Sequence, residues 1–248
     1  MTEDTRTERE DRAESGAASR RKSALLFLRD LVVIFLVAVL VSFLIKTFLI
    51  RSFFIPSASM EQTLMRDDRI IVNQLVPEVA SIEHGDVVVF RDPGGWLPAR
   101  ADEAKPPLIA VIDGFLTFVG LSASDSNDHL VKRVVGLPGD HVECCNALGQ
   151  MSVNGIPLDE PYVVLPPGDT KVSRDDFEVT VPEDSLWVMG DNRYNSKDSR
   201  YNTGTPLEGF VPIENVVGRA VVVSWPISNW AWLDNYPQVF AGVDEGTG

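Results

Sequence analysis

Leu130-Val131-Lys132-Arg133-Val134-Val135 reads as a single strand: it is rich in β-branched valine and runs into Gly136 and Pro138, which end it. A two-residue period puts Lys132 on one face with Leu130 and Val134, and Arg133 on the other face, where its charge calls for an acid. Similar runs recur at 69–73, 86–90, 141–145, 151–153 before the turn Asn154-Gly155, 177–181, 186–189 and 216–225, separated by Gly, Pro and Asn. Short strands at this spacing, without a competing helical period, predict a mainly β protein. The expected body is a barrel-like antiparallel β-sheet domain over 52–240.

Upstream the pattern changes. Residues 31–50 are apolar except for Ser42, Lys46 and Thr47, a length that matches one crossing of a bilayer core of roughly 30 Å. Lys46 sits within a turn of the far end and can reach towards headgroups. No small-x-small cleavage site follows the run and some thirty residues precede it, so it reads as one transmembrane helix with its flanks (23–51), not as a removable leader. Residues 1–22 are polar and aperiodic and read as a disordered tail, and 241–248 as a flexible C-terminus. Arg20, Arg21 and Lys22 before the span, with Arg29 at its start, orient the tail to the cytoplasm and the remainder outside.

Of the 248 residues, 22 are Lys or Arg and 36 Asp or Glu, a net charge of -14. The region up to Arg51 holds 9 bases and 7 acids, so the excess of acid lies downstream. Such a balance speaks against nucleic acid as a partner, because phosphate binding needs clustered cations. No spaced Cys or His pattern exists, so neither a metal nor another cofactor is expected. Cys144 and Cys145 are adjacent; two strand thiols facing opposite ways is the default reading, and a vicinal disulfide, permitted outside the cytoplasm, the alternative.

One segment, 94–128, interrupts the strands. Its apolar part, 108–121, carries Asp113 and Gly114 and is too short to cross a membrane; it reads either as an interfacial element or as one packed on the core. The aromatics Trp225, Trp230, Trp232 and Tyr236 read as packed over strand ends, with headgroup-level anchoring the alternative.

For chemistry, Ser59 in Ile55-Pro56-Ser57-Ala58-Ser59-Met60 follows the span closely. A hydroxyl is a weak nucleophile until a base removes its proton. His84, His129 and His141 lie beside Gly or Asp in turns or strand starts and read as surface residues. Lys132 is the other candidate base, provided that burial among valines holds its amine neutral. Taken by itself, it reads first as a strand lysine reaching solvent, with the buried base as the alternative.

Four stretches in order weigh against that bland reading: 56–60, His84-Gly85-Asp86-Val87-Val88-Val89-Phe90, Val131 to Asp140 in Val-Lys-Arg-Val-Val-Gly-Leu-Pro-Gly-Asp, and Gly190-Asp191-Asn192-Arg193-Tyr194-Asn195-Ser196-Lys197-Asp198-Ser199-Arg200. This series resembles that of bacterial type I signal peptidases, membrane-anchored serine proteases with a Ser–Lys dyad. The resemblance implies Ser59 as nucleophile, Lys132 as general base, and Ser57 with the Ser59 N–H as oxyanion hole. It further implies Ser196 orienting the lysine, Asp198 as an acid near the dyad, and Arg133, Asp191 and Arg200 as a supporting ion-pair network. Exported preproteins with small-x-small junctions become the expected substrates, entered as an added strand, with Ile55, Pro56 and Met60 near the side-chain pockets. Three departures stand out: Glu61 follows Met60 where a proline is frequent, Tyr194 replaces a frequent acid, and one extra residue precedes Gly204. Two rival readings remain at this point: a Ser–Lys protease that cuts itself or one partner, and a membrane-anchored β-domain that binds without catalysis.

Overall fold

The computed structural model describes residues 26–45, 49–98 and 128–244, which fall into two units. The first contributes one helix, α1 (Leu26–Ile45), long and apolar enough by length and composition to cross a membrane. It starts and stops earlier than the 31–50 expected from hydropathy, and Ile50 belongs to a strand instead. Lys46, the tail and 108–121 lie outside the described residues.

Among the described residues the second unit has twelve strands. In chain order they are β1 (Ile50–Phe54), β2 (Arg69–Asn73), β3 (Val87–Arg91), β4 (His129–Gly136), β5 (His141–Cys144), β6 (Met151–Val153), β7 (Ile156–Pro157), β8 (Phe177–Thr180), β9 (Ser185–Met189), β10 (Val211–Pro212), β11 (Val216–Trp225) and β12 (Ala231–Trp232). All pairings are antiparallel. The larger sheet runs β1-β2-β11-β3-β4-β9-β10 with β12 on β11, and the smaller runs β7-β6-β5-β8. Neither sheet closes, so the barrel-like expectation is corrected to two open sheets: β1 and β10 stay as free ends of the larger one. Alternation and β-branching found the strands because the pleated ladder suits Val and Ile. Asn154 and Gly155, both with positive φ, form the tight turn from β6 to β7 as their sequence demands.

Val135 on β4 and Trp187 and Met189 on β9 share a core with Val142, Met151 and Val153 of the smaller sheet, which fastens the two sheets together. Against this core packs α2 (Pro237–Asp244), through Val239, Phe240 and Val243. The helix takes in 241–244 of the stretch expected to be a flexible end, and Val243 is 1% exposed. Its apolar residues at i, i+1 and i+4 had no polar frame long enough to reveal a helix.

Three further expectations change. Cys144 and Cys145 are joined by a disulfide, so the default of two free thiols gives way to the alternative. His84 is buried, with Nε2 2.7 Å from Asp140 and its ring stacked on Phe240. Trp225, Trp230 and Trp232 are exposed, together with Ile227, and do not cap the strand ends.

Candidate active site

Ser59 and Lys132 reach the same point from different parts of the larger sheet, the end strand β1 and the interior strand β4. After β1 the chain leaves the ladder at Ile55, whose N–H donates to Asp68 O and whose carbonyl accepts from the Asp67 N–H, and enters a run of turns over 58–64. Ser59 sits at its start. Lys132 lies mid-strand on β4, opposite Val88 of β3. Lys132 Nζ stands 2.8 Å from Ser59 Oγ and donates to Val131 O at 2.9 Å. The lysine is 4% exposed, and burial pushes its amine down to about 8. Asp198 and Asp191 pull it back up, and Arg200 adds to the lowering. The result is an amine that gives up its proton near pH 8, well below a free lysine, in hydrogen-bond reach of a hydroxyl; in its neutral form it can act as a base on that hydroxyl.

Ser57 Oγ accepts the Ser59 N–H at 3.1 Å. An anion placed at that amide displaces the hydroxyl, which by rotating can turn from acceptor into donor. Arg133, on the other face of β4, is fully buried and grips Asp191 with Nε and Nη2 at 2.9 and 2.7 Å. This is the acid that its position demanded. Arg200 grips Asp198 at 2.8 Å, and Asp198 also accepts the Gly190 N–H at 3.0 Å. The supporting acids and bases thus form two separate bidentate pairs. Neither acid touches Lys132 by hydrogen bond; both act on it through space.

Ser196 lies in the same cleft, but its buried Oγ has no hydrogen-bond partner among the described residues. The amine's second hydrogen bond runs to the carbonyl of Val131. Ile55, Pro56 and Met60 all line a cleft of about 990 Å³ that opens on Ser59 and Lys132. Ile55 and Met60 also belong to the core beneath it. Tyr194 forms part of the far wall, its hydroxyl donating to Lys171 O and its ring beneath Arg174. Among the described residues no group of His, Cys, Asp or Glu is arranged to hold a metal.

The profile of the family described as "Signal peptidase, peptidase S26" matches residues 28–225. The chain belongs to the signal peptidase family. Curated relatives agree: a probable signal peptidase I of Mycobacterium leprae (strain TN) is 40% identical over 200 residues, 71% of this chain and 68% of the relative. Signal peptidase I of Mycobacterium tuberculosis (strain ATCC 25618 / H37Rv) is 37% identical over 220 residues, 82% and 74% of the two chains. A crystal structure of a signal peptidase I from Enterococcus faecalis V583 superposes with a TM-score of 0.36 at 24% identity, over 56% of this chain and 95% of that one. Membership of the signal peptidase family makes the chain a serine endopeptidase.

Reading motifs alone misses four side chains around this signal peptidase site. Thr63 Oγ1 donates to Asp191 at 2.5 Å. Asn192 ties itself to the nucleophile's turn, its N–H to Ser59 O at 3.1 Å and its amide to Ala58 O. Tyr162 and Arg193 are the other two, and both are buried. Thr63, Asn192 and Arg193 lie in or beside the quoted motifs, so their places were visible though their partners were not. Tyr162 lies in a loop with no pattern to mark it.

Proposed function

We propose that this chain is a membrane-anchored endopeptidase that removes N-terminal signal peptides from exported preproteins, cutting after small-x-small junctions with a Ser59–Lys132 dyad. One observation carries the reading: the 2.8 Å contact between Lys132 Nζ and Ser59 Oγ, with the amine buried and lowered to about 8. As Ser59 Oγ attacks the scissile carbonyl carbon, its proton passes to neutral Lys132. The developing oxyanion is held by the Ser59 N–H and by Ser57, rotated to donate; such donors are worth about 2.7–4 kcal/mol in the transition state. The protonated Lys132 then gives its proton to the departing amine, leaving an ester on Ser59. Water, deprotonated by the same lysine, cleaves the ester and frees the signal peptide's carboxylate.

Strand pairing supports an extended substrate. Among the described residues, β1 carries a partner strand, β2, on one edge, and β9 lies along the corresponding edge of β4 from Arg133 onward. Both strands, β1 and β4, border the cleft, and they run in the same direction, four antiparallel steps apart. A peptide added between them gains main-chain hydrogen bonds, with Ile55 and Met60 as apolar lining for its small side chains. The lipid bilayer is the second partner, through α1, with the N-terminus cytoplasmic and the β domain outside. Anchoring keeps the site close to where signal peptides leave the membrane, which raises their local concentration.

The test uses full-length protein in detergent with a preprotein bearing an Ala-x-Ala junction. Ser59→Ala and Lys132→Ala both abolish cleavage if the dyad operates; persistent cleavage by Lys132→Ala refutes the lysine as base.

A further inference from the structure

Near the dyad lies a buried cluster whose acid, Glu160, belongs to none of the four motif stretches. Glu160 follows β7 in the loop that leaves the smaller sheet. Its carboxylate accepts from Arg193 Nη1 at 2.9 Å and Nη2 at 2.5 Å, and from the Tyr162 hydroxyl at 2.8 Å. The ion pair's side chains are at most 1% exposed. Such a pair is costly to bury and is weak evidence for stability, so its presence asks for another reason.

What the pair holds gives that reason. Arg193 Nε donates to Gly190 O at 3.1 Å, and Arg193 O accepts from Arg200 at 2.8 Å. Gly190 presses on the nucleophile's own backbone: a Cβ there would collide with Ser59 O and with Ser196 Oγ. Two residues on, the Asn192 N–H donates to Ser59 O. On the other side of Glu160, the Tyr162 ring lies 4.0 Å from the Arg133 guanidinium, in the residue after the base. One carboxylate from the smaller sheet therefore reaches both halves of the dyad through two short chains of contacts.

We infer that Glu160 is a positioning residue for this reaction: through Arg193 it fixes the Gly190–Asn192 backbone against Ser59, and through Tyr162 it backs Arg133 beside Lys132. The inference rests on the Ser59–Lys132 reading. It gives the loop between β7 and β8 of the smaller sheet a part in catalysis beyond the Arg174 and Asp175 with which it lines the cleft. Glu160 touches no substrate, so its loss acts on turnover and leaves binding in place. Without the carboxylate, Arg193 is drawn to Asp191, the other acid within its field, and lets go of Gly190 O.

The experiment compares full-length Glu160→Gln, Glu160→Asp and the apolar double variant Glu160→Met/Arg193→Met in detergent, with Ser59→Ala alongside. Thermal melts establish which variants are folded. Expected for Glu160→Gln is a fall in kcat of roughly 10²-fold, the scale of a displacement of about 1 Å at the reacting atoms, with KM within about twofold of the parent. Glu160→Asp, which keeps the charge, restores most of that kcat. The double variant has no buried charge left unpaired, so it folds even if Glu160→Gln does not, and it keeps the kcat defect because Gly190 O has lost its donor. Parent-like kcat in the folded double variant overturns the inference, as does a defect in Glu160→Gln that lies wholly in KM. If Ser59→Ala still cleaves, the dyad itself is wrong; if it is inactive while the Glu160 variants match the parent, only the positioning role falls.

Discussion

Lys132 is the residue whose ionisation sets two measurable properties. Only its neutral form can take the Ser59 proton, so cleavage is expected to rise with pH through about 8 and not through the 10.5 of a free amine. A kcat/KM profile with its lower limb near 8, unchanged when each of the three histidines is replaced in turn, is the expected result; a limb that disappears with a histidine contradicts it. The same shift has a cost in stability. Between pH 8 and 10.5 the unfolded chain binds more protons at this site than the folded one, so stability rises with pH across that window. Below it the penalty is constant at about 3 kcal/mol, the gap expressed in energy. Lys132→Met is therefore expected to be inactive yet to melt higher than the parent at pH 7, by up to about 3 kcal/mol. That advantage shrinks as pH approaches 10.5, which melts recorded from pH 7 to 10.5 will show.

At the scale of elements, the turn after β9 decides the geometry. It delivers Asp191 to Arg133, Asn192 to Ser59 O and Asp198 to Arg200, all within a dozen residues. Gly190 is its tightest point because the Ser59 carbonyl occupies the space of a side chain. Gly190→Ala is expected to cost about 1–3 kcal/mol by overpacking and to push the nucleophile away from the amine. Activity should fall by roughly 10²-fold while the protein remains folded, a pairing checked by assay and melt on one preparation. A loss confined to the melting temperature would show that Ser59 does not depend on this contact. The strands that carry the site were legible beforehand: β2, β6 and β11 match their expected ranges, and β4 extends its range by one residue at each end. β1 was hidden, because hydropathy merged Ile50 with the apolar helix before it. β7, β10 and β12 were hidden because two residues carry no period.

For the whole molecule, the informative piece is α2, the segment that composition made look dispensable. Phe240 is fully buried, stacks on His84 and closes the core shared by both sheets. Phe240→Ala is expected to destabilise by about 3–5 kcal/mol, a large part of the stability of a domain of this size, and is checked by denaturant unfolding. A change below 1 kcal/mol would mean that the helix contributes little to the fold. The exposed Trp225, Trp230 and Trp232 show the opposite error, since aromatics beside prolines gave no sign of which side of the sheet they would take.

The sequence by itself determined the apolar segment and most of the strands, which are properties of local period and composition, and the ordered motif series, whose family resemblance singles out Ser59 and Lys132 as the pair proposed to react. Only the tertiary structure decided who meets whom: Val131 O on the lysine, two separate ion pairs in place of one network, and Glu160 with Tyr162 near them. The reason is physical. A buried charge takes whichever partner the packing of distant segments brings within about 3 Å, and the spacing of residues along a chain holds no record of that distance.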